Sequence, residues 1–146
     1  MAIATSAPAV MSFFEPQYLL DTDWVAHYLR GKRHDIVARL QELAPQGLAL
    51  SSIALAELYH GVYLSQRKEE NLKGLRDFLA NIMVLNVDAH IAERFGQEKT
   101  SLQMKGTPID NFDLLIGCTA LEYNLVLLTN NRKHYERIEK LCIESL

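Results

Sequence analysis

Short apolar runs alternate with helical stretches along the chain, and this alternation is the feature that most restricts the fold. The five runs are residues 18–20, 48–52, 82–87, 125–129 and 141–145. Strands that alternate with helices predict a parallel sheet that is covered on both faces and joined by right-handed crossovers. We therefore expect an α/β fold, a three-layer α/β/α sandwich around a mostly parallel sheet of four or five strands.

The segments between the runs carry the spacing and boundary residues of helices. The expected helices cover about residues 23–30, 33–44, 52–65, 68–82, 89–105 and 108–124, with a short helical piece near 134–140. Asp23, Ser52 and Asp88 are the expected N-caps, since short polar side chains accept backbone hydrogen bonds there. Gly31 should end the first helix, and the third and fourth helices should pack as a hairpin.

Length and composition fit one globular domain. The chain has 146 residues, of which 49% are hydrophobic, enough for a core. We expect a flexible leader at residues 1–16, with translation starting at Met1 or Met11, and a single domain at 17–146. No apolar run approaches the roughly 20 residues of a membrane helix. The two cysteines, Cys118 and Cys142, are expected to be buried thiols of a cytoplasmic protein.

Several polar residues are expected at one edge of the sheet. In a parallel sheet the functional site lies beyond the carboxyl ends of the strands, where the strand order reverses. The candidates are Asp21 after the first run, Glu57 in the helix after the second, Asp110 and Asp113 on one face of the helix before the fourth, and Thr129, Asn130 and Asn131 at the carboxyl end of the fourth.

The positions of these acids are easier to explain if the acids form one site than if each is considered alone. Glu57 alone could face solvent, and Asp113 alone could be favoured by the positive end of its helix. Like charges brought close repel each other, and a hard divalent cation removes that conflict. Oxygen ligands suit Mg²⁺ or Mn²⁺, ions that serve phosphoryl chemistry.

Two short motifs suggest other activities that the rest of the chain does not support. The stretch LLDTDWV fits the start of haloacid-dehalogenase-type phosphatases, but the Lys and close acidic pair required later in such enzymes are not found in order. The spacing of Glu57 and His60 fits a di-iron site, but that motif must occur twice in a helical bundle and occurs once here.

From residue 18 to the C-terminus the sequence resembles PIN-domain proteins, in particular the VapC-type toxins of bacterial toxin–antitoxin pairs. The matching pieces, in order, are LLDTD, SSIALAELYHG, GTPIDNFDLLIGCTALEYN and LVLLTNNRKHYERI. The resemblance implies a small α/β/α sandwich that acts as a metal-dependent endoribonuclease. Its products would carry 5′-phosphate and 3′-hydroxyl ends.

The resemblance also implies roles for the polar residues. The acids of the family map onto Asp21, Glu57 and Asp113, and its fourth acidic position falls on Asn131, which supplies an oxygen but no charge. We expect Asp21 and Asp113 to hold one Mg²⁺ or Mn²⁺, with Asn131 nearby and Glu57 contacting the ion or its water. Asp110 is either a further water-mediated ligand or a helix cap. Thr22 and Thr129 are plausible supporting hydroxyls beside the acids.

The expected substrate is single-stranded or looped RNA, in which the backbone is accessible. The resemblance suggests structured RNA such as transfer RNA. A net charge of −3 argues against broad coating of nucleic acid, so contacts with phosphates would fall to local basic residues. The candidates are Arg30, Lys32, Arg132 and Lys133, at or after the expected edge.

Expected partners also follow from the resemblance. In VapC-type toxins a groove takes a segment of the cognate antitoxin, whose basic side chain reaches the acidic pocket. Here that groove would lie on the helices of residues 52–81, with apolar residues Leu55, Leu58, Tyr59, Val62 and Leu64. A homodimer is also expected. Two alternatives remain at this point: a PIN-type RNA-processing nuclease that is not a toxin, and an inactive module that binds RNA or a partner.

Overall fold

The computed structural model describes residues 15–146. Met1, Met11 and nearly all of the expected leader lie outside this part of the chain. The strands are β1 (Tyr18–Leu20), β2 (Leu48–Ser51), β3 (Met83–Leu85), β4 (Val126–Leu128) and β5 (Ile143–Glu144). The helices are α1 (Thr22–Arg30), α2 (His34–Leu43), α3 (Ser52–Leu64), α4 (Lys68–Leu79), α5 (Ala89–Met104), α6 (Asn111–Glu122) and α7 (Arg132–Tyr135), and a 3₁₀ turn at Ala44–Gln46 follows α2.

The strands form one parallel sheet in the order β3-β2-β1-β4-β5. The inner strands are apolar runs without alternation, because helices cover both of their faces. Leu19, Leu20, Leu50, Leu127 and Leu128 are fully buried. The prediction of an α/β fold with a parallel sheet is therefore confirmed, and all five expected runs form strands.

The strand order reverses between β1 and β4. From β1 the chain proceeds outward to β2 and β3, then returns across the sheet to β4 and β5. Leu20 pairs with Leu128 in the parallel register, and the Asp21 amide donates to the Leu128 carbonyl at 3.0 Å. The residues that follow these two strands therefore meet in the crevice where α/β sheets bind ligands.

Two groups of helices flank the sheet. Helix α1 packs against α2 and α3, and α3 packs against α4, as expected for a hairpin. On the other side α5 packs against α6, and α6 against α7. Right-handed crossovers place the two groups on opposite faces. Helices α3 and α6 also contact each other, because both begin at the carboxyl edge of the sheet.

Two of the three expected N-caps were placed at the wrong residue. Asp21, not Asp23, caps α1, and Ser51, not Ser52, caps α3. Each strand runs directly into its helix, and the cap is the last residue that keeps an extended backbone, with ψ of 159° at Asp21 and 143° at Ser51. Asp88 caps α5 as expected.

The prediction of two buried thiols is half wrong. Cys118, in α6, is fully buried, whereas Cys142 is exposed. Cys142 stands just before β5, a two-residue strand at the edge of the sheet that no further strand covers. Within residues 15–146 no helix combines the length and apolar character needed to cross a membrane.

Candidate active site

Asp21 is a buried carboxylate at the centre of the crevice. Its side chain is placed by the direct passage from β1 into α1, and the residue is only 5% exposed. Oδ1 accepts from the Thr22 amide at 2.9 Å, and Oδ2 accepts from the Thr129 hydroxyl at 2.7 Å. The Thr129 hydroxyl, directly after β4, thus contacts the acid that follows β1.

Burial raises the pKa of Asp21 to about 6. The hydrogen bond from Thr129 acts in the opposite direction, and the negative charges of Asp23 and Asp113 add to the rise. The fold therefore places an acid where its ionised form is disfavoured. Such perturbed groups collect at functional sites.

Asp113 reaches the same crevice from the first turn of α6. Asp110 caps this helix, because its Oδ2 accepts from the amides of Phe112 at 3.0 Å and Asp113 at 3.4 Å. The Asp113 Oδ2 accepts from the side-chain amide of Asn131 at 3.3 Å and lies 3.0 Å from Nδ1 of His134. The second acid is therefore tied to the loop that follows β4.

The loop after β4 is held on several sides. The Asn131 amide donates to the Thr129 hydroxyl at 3.0 Å, and the Asn130 amide donates to Oδ2 of Asp23 at 3.0 Å. Oδ1 of Asn130 accepts from the indole of Trp24 at 3.1 Å. Asp23 therefore links α1 to this loop through its side chain. Burial raises the pKa of Asp23.

Glu57 contacts the site through a hydrogen bond with Thr22. It is half-buried on α3, and its Oε1 accepts from the Thr22 hydroxyl at 2.8 Å. Among the described residues this is the one side-chain hydrogen bond that Glu57 makes, so the carboxylate is oriented while its second oxygen stays available. The supporting role predicted for Thr22 would act through this contact.

Sequence reasoning missed Tyr135 and His134. Tyr135 is fully buried, and its hydroxyl lies 3.4 Å from Oδ1 of Asp21 and 3.4 Å from Oδ1 of Asp113. Burial and the two carboxylates raise the pKa of Tyr135, so the phenol keeps its proton. The sequence did contain one indication of their position. The segment that forms α7 begins directly after Asn131, so its residues lie near the carboxyl edge of the sheet.

The four basic candidates are all exposed. Arg132 is already engaged, because it pairs with Glu136 at 3.0 Å and donates to the Ser145 hydroxyl at 3.1 Å. Within residues 15–146, Lys133 makes no ion pair with a carboxylate. The two neighbours therefore differ in their freedom to bind an external anion.

A groove of about 590 Å³ opens beside Glu57 and Thr22, between α1, α3 and α4. Leu58 and Val62 line it, as expected, although each is less than a tenth exposed. Of the other expected lining residues, Leu55 and Tyr59 pack against the core and Leu64 is 72% exposed. Arg30 lies at the same groove.

Few side chains at the crevice can supply oxygen ligands to a metal ion. Asp21 and Asp113 present their Oδ1 atoms to the same hydroxyl. In the part of the chain that the structure describes, no three acidic, histidine or cysteine side chains form a group that could hold an ion by themselves. Mg²⁺ commonly binds through one or two carboxylates, with waters and substrate phosphates as its other ligands. The carboxylate pair fits that requirement.

Comparisons with known proteins find similar sequences over most of the chain. The family model of the PIN domain matches residues 18–141. Ribonuclease VapC2 of Rickettsia felis is 36% identical over 129 residues, which are 88% of this chain and 96% of that protein. The tRNA(fMet)-specific endonuclease VapC of Salmonella typhimurium is 34% identical over 128 residues, 88% of this chain and 96% of that protein.

A solved structure gives the same result. The crystal structure of VapBC2 from Rickettsia felis, bound to a DNA fragment from its promoter, matches with a TM-score of 0.83 and 35% identity. The match covers 88% of this chain and 98% of that one.

Proposed function

The chain belongs to the PIN domain family, and from that premise we propose that it is an endoribonuclease, the toxin component of a toxin–antitoxin pair. The observation that carries the proposal is the meeting of Asp21 and Asp113 at the crevice between β1 and β4. Ribonucleases named VapC match the chain over most of its length, and solved relatives are VapBC complexes.

The proposed cofactor is Mg²⁺ or Mn²⁺. Asp21 and Asp113 would hold the ion through carboxylate oxygens, and waters and RNA phosphate would complete its ligands. Asn131 and Asp110 are the weaker candidates. Asn131 turns its amide nitrogen toward Asp113, and a half-turn of the amide would present the oxygen instead. Asp110 uses one oxygen to cap α6 and keeps the other for a water.

The proposed reaction is hydrolysis of an RNA phosphodiester. A bound divalent cation supplies charge neutralisation at the phosphate and makes a water more acidic. Glu57, whose Oε1 is fixed by Thr22, accepts a proton of the attacking water through its second oxygen. The water oxygen bonds to phosphorus as the bond between phosphorus and the 3′ oxygen of the preceding nucleotide breaks. The leaving 3′ oxygen takes a proton from solvent and becomes a hydroxyl. The products therefore carry 5′-phosphate and 3′-hydroxyl ends.

The proposed substrate is structured RNA with an accessible single-stranded segment. One relative is a tRNA(fMet)-specific endonuclease, which makes transfer RNA the first substrate to test. Arg30, Lys32 and Lys133 are exposed and would contact phosphates. Arg30 lines the groove beside Glu57, and Lys133 follows Asn131 by two residues in the chain. Arg132 would contribute less, because Glu136 already neutralises it.

The proposed protein partner is an antitoxin. Glu57 and Thr22 line the open groove between α1, α3 and α4, so a partner segment that lies in it can bring a basic side chain to the acidic site. Charge pairing with Glu57 would then block access by RNA. We also propose that the protein acts as a homodimer in the cytoplasm.

Induction of the gene in bacterial cells tests the function. We expect growth arrest with the wild type, relief of arrest with Asp21→Ala, and full arrest with Asp77→Ala, an exposed acid that pairs with Lys73 on α4. Co-expression of a protein from a neighbouring short reading frame should restore growth. Arrest by Asp21→Ala at wild-type level would contradict the assigned site. RNA cleavage without growth arrest would favour an RNA-processing nuclease.

A further inference from the structure

Tyr135 brings a hydroxyl into the centre of the site, where the proposed reaction gives it no part. Its oxygen is equidistant from two carboxylates, 3.4 Å from Oδ1 of Asp21 and 3.4 Å from Oδ1 of Asp113. Both distances are long for an O–H···O hydrogen bond. The hydroxyl therefore lies between the acids and is not drawn tightly to either one.

The other oxygens of the two acids have their own partners. Oδ2 of Asp21 accepts from Thr129, and Oδ2 of Asp113 faces Asn131 and His134. Oδ1 of Asp21 also accepts from the Thr22 amide at 2.9 Å, and within residues 15–146 the phenol is the one group that contacts both Oδ1 atoms. A phenol has one hydroxyl hydrogen, so it can donate to only one carboxylate at a time. The other carboxylate then faces a lone pair of the phenol oxygen.

Packing of the ring, more than these long contacts, fixes the position of the hydroxyl. Tyr135 is fully buried against α6 beside Gly117, which lies one turn after Asp113. A Cβ at Gly117 would stand 2.7 Å from Cδ1 of Ile138 and 3.6 Å from two atoms of the Tyr135 ring. The glycine therefore lets the segment that carries Tyr135 approach α6 closely.

We propose that Tyr135 is a positioning residue that sets the separation of the Asp21 and Asp113 carboxylates, so that their Oδ1 atoms converge on one divalent cation. The role rests on the metal site of the proposed function. Without the hydroxyl, no atom of the described residues contacts both Oδ1 atoms, and their separation depends only on the hydrogen bonds that each acid makes with its own neighbours. Partners that orient metal ligands typically contribute about tenfold to a hundredfold in metal affinity or activity.

The test is Tyr135→Phe, which keeps the ring and its packing and removes only the oxygen. Mn²⁺ alone is titrated into the purified, metal-free protein by calorimetry, and RNA cleavage is measured separately. We expect Mn²⁺ binding to weaken by about tenfold or more. The kcat should fall while KM for RNA stays near the wild-type value, and thermal unfolding should show that the fold is retained.

The matched control is Tyr18→Phe. The Tyr18 hydroxyl contacts Gln46 at 3.5 Å, at the opposite end of β1 from Asp21, so its loss should leave Mn²⁺ binding unchanged. Wild-type Mn²⁺ affinity in Tyr135→Phe, or tighter binding, would overturn the positioning role while leaving the metal site intact. If the wild type binds Mn²⁺ no better than Asp113→Asn, the metal site is wrong and the role of Tyr135 falls with it.

Discussion

Replacement of Asp21 by asparagine should stabilise the metal-free protein at neutral pH, although it removes a central acid of the site. Burial raises the pKa of Asp21 from 3.8 to about 6, so the ionised form is more costly in the folded chain than in the unfolded one. Asparagine carries no charge and remains a good N-cap, because its Oδ1 can still accept from the Thr22 amide.

The sign and size of the effect follow from proton linkage. Between pH 3.8 and about 6 the folded chain binds more protons at Asp21 than the unfolded chain does. The free energy of unfolding therefore falls as the pH rises through this window. The full change corresponds to about 3 kcal/mol, at about 1.4 kcal/mol for each unit of pKa. Roughly 2 kcal/mol of it should appear between about pH 4 and pH 7.5.

Urea unfolding of both proteins in EDTA, at about pH 4 and pH 7.5, measures this change. The free energy of unfolding of Asp21→Asn, relative to that of the wild type, should rise by roughly 2 kcal/mol between the two conditions. In thermal melts the same change is a relative shift of roughly 4 to 8 °C. Asp77→Asn, at an exposed position, controls for the loss of a charge. A stability difference that is independent of pH, or that shrinks as the pH rises, would refute the reasoning.

Other predictions concern catalysis, RNA binding and the thiols. Glu57→Gln should lower kcat by about a hundredfold or more, as expected for loss of a general base, with little change in melting temperature; near-normal cleavage would remove Glu57 from the reaction. Lys133→Gln should reduce the slope of log K for RNA binding against log salt concentration by about 0.7. Arg132→Gln should change this slope less, because Arg132 is already paired with Glu136. Equal changes of slope in the two variants would contradict the assignment of Lys133 to a phosphate. A thiol reagent should modify Cys142 alone in the native protein, because Cys118 is buried with its pKa raised to about 12; two reactive thiols before denaturation would disprove this.

The fold was accessible from the sequence because strands and helices differ in the spacing of their apolar residues. Asp21 and Asp113 could be placed at one edge for the same reason. Asp21 follows a strand and Asp113 lies in the first turn of a helix that leads into a strand, and the parallel sheet fixes the direction of both elements. The caps were shifted because a pattern cannot tell which residue of a strand–helix junction is the last extended one. Asp21 and Ser51 settle that question through their backbone angles.

Contacts between distant parts of the chain were less accessible. The bond of Asp23 with the Asn130 amide joins residues 107 positions apart, and no local pattern signals it. Tyr135 looks like an ordinary core residue because its ring is buried. Its oxygen matters through its neighbours, and these depend on how closely α7 approaches α6 at Gly117.

Cleavage of a defined transfer RNA by the purified protein tests the central claim most directly, with Asp113→Asn and Asp77→Asn compared side by side. We predict cleavage by the wild type with Mn²⁺, none in EDTA, and 5′-phosphate ends on the products. Asp113→Asn should be inactive. Asp77→Asn should stay active, because Asp77 is exposed and pairs with Lys73 on α4, outside the site. Equal activity of Asp113→Asn and the wild type, or full cleavage in EDTA, would contradict the account.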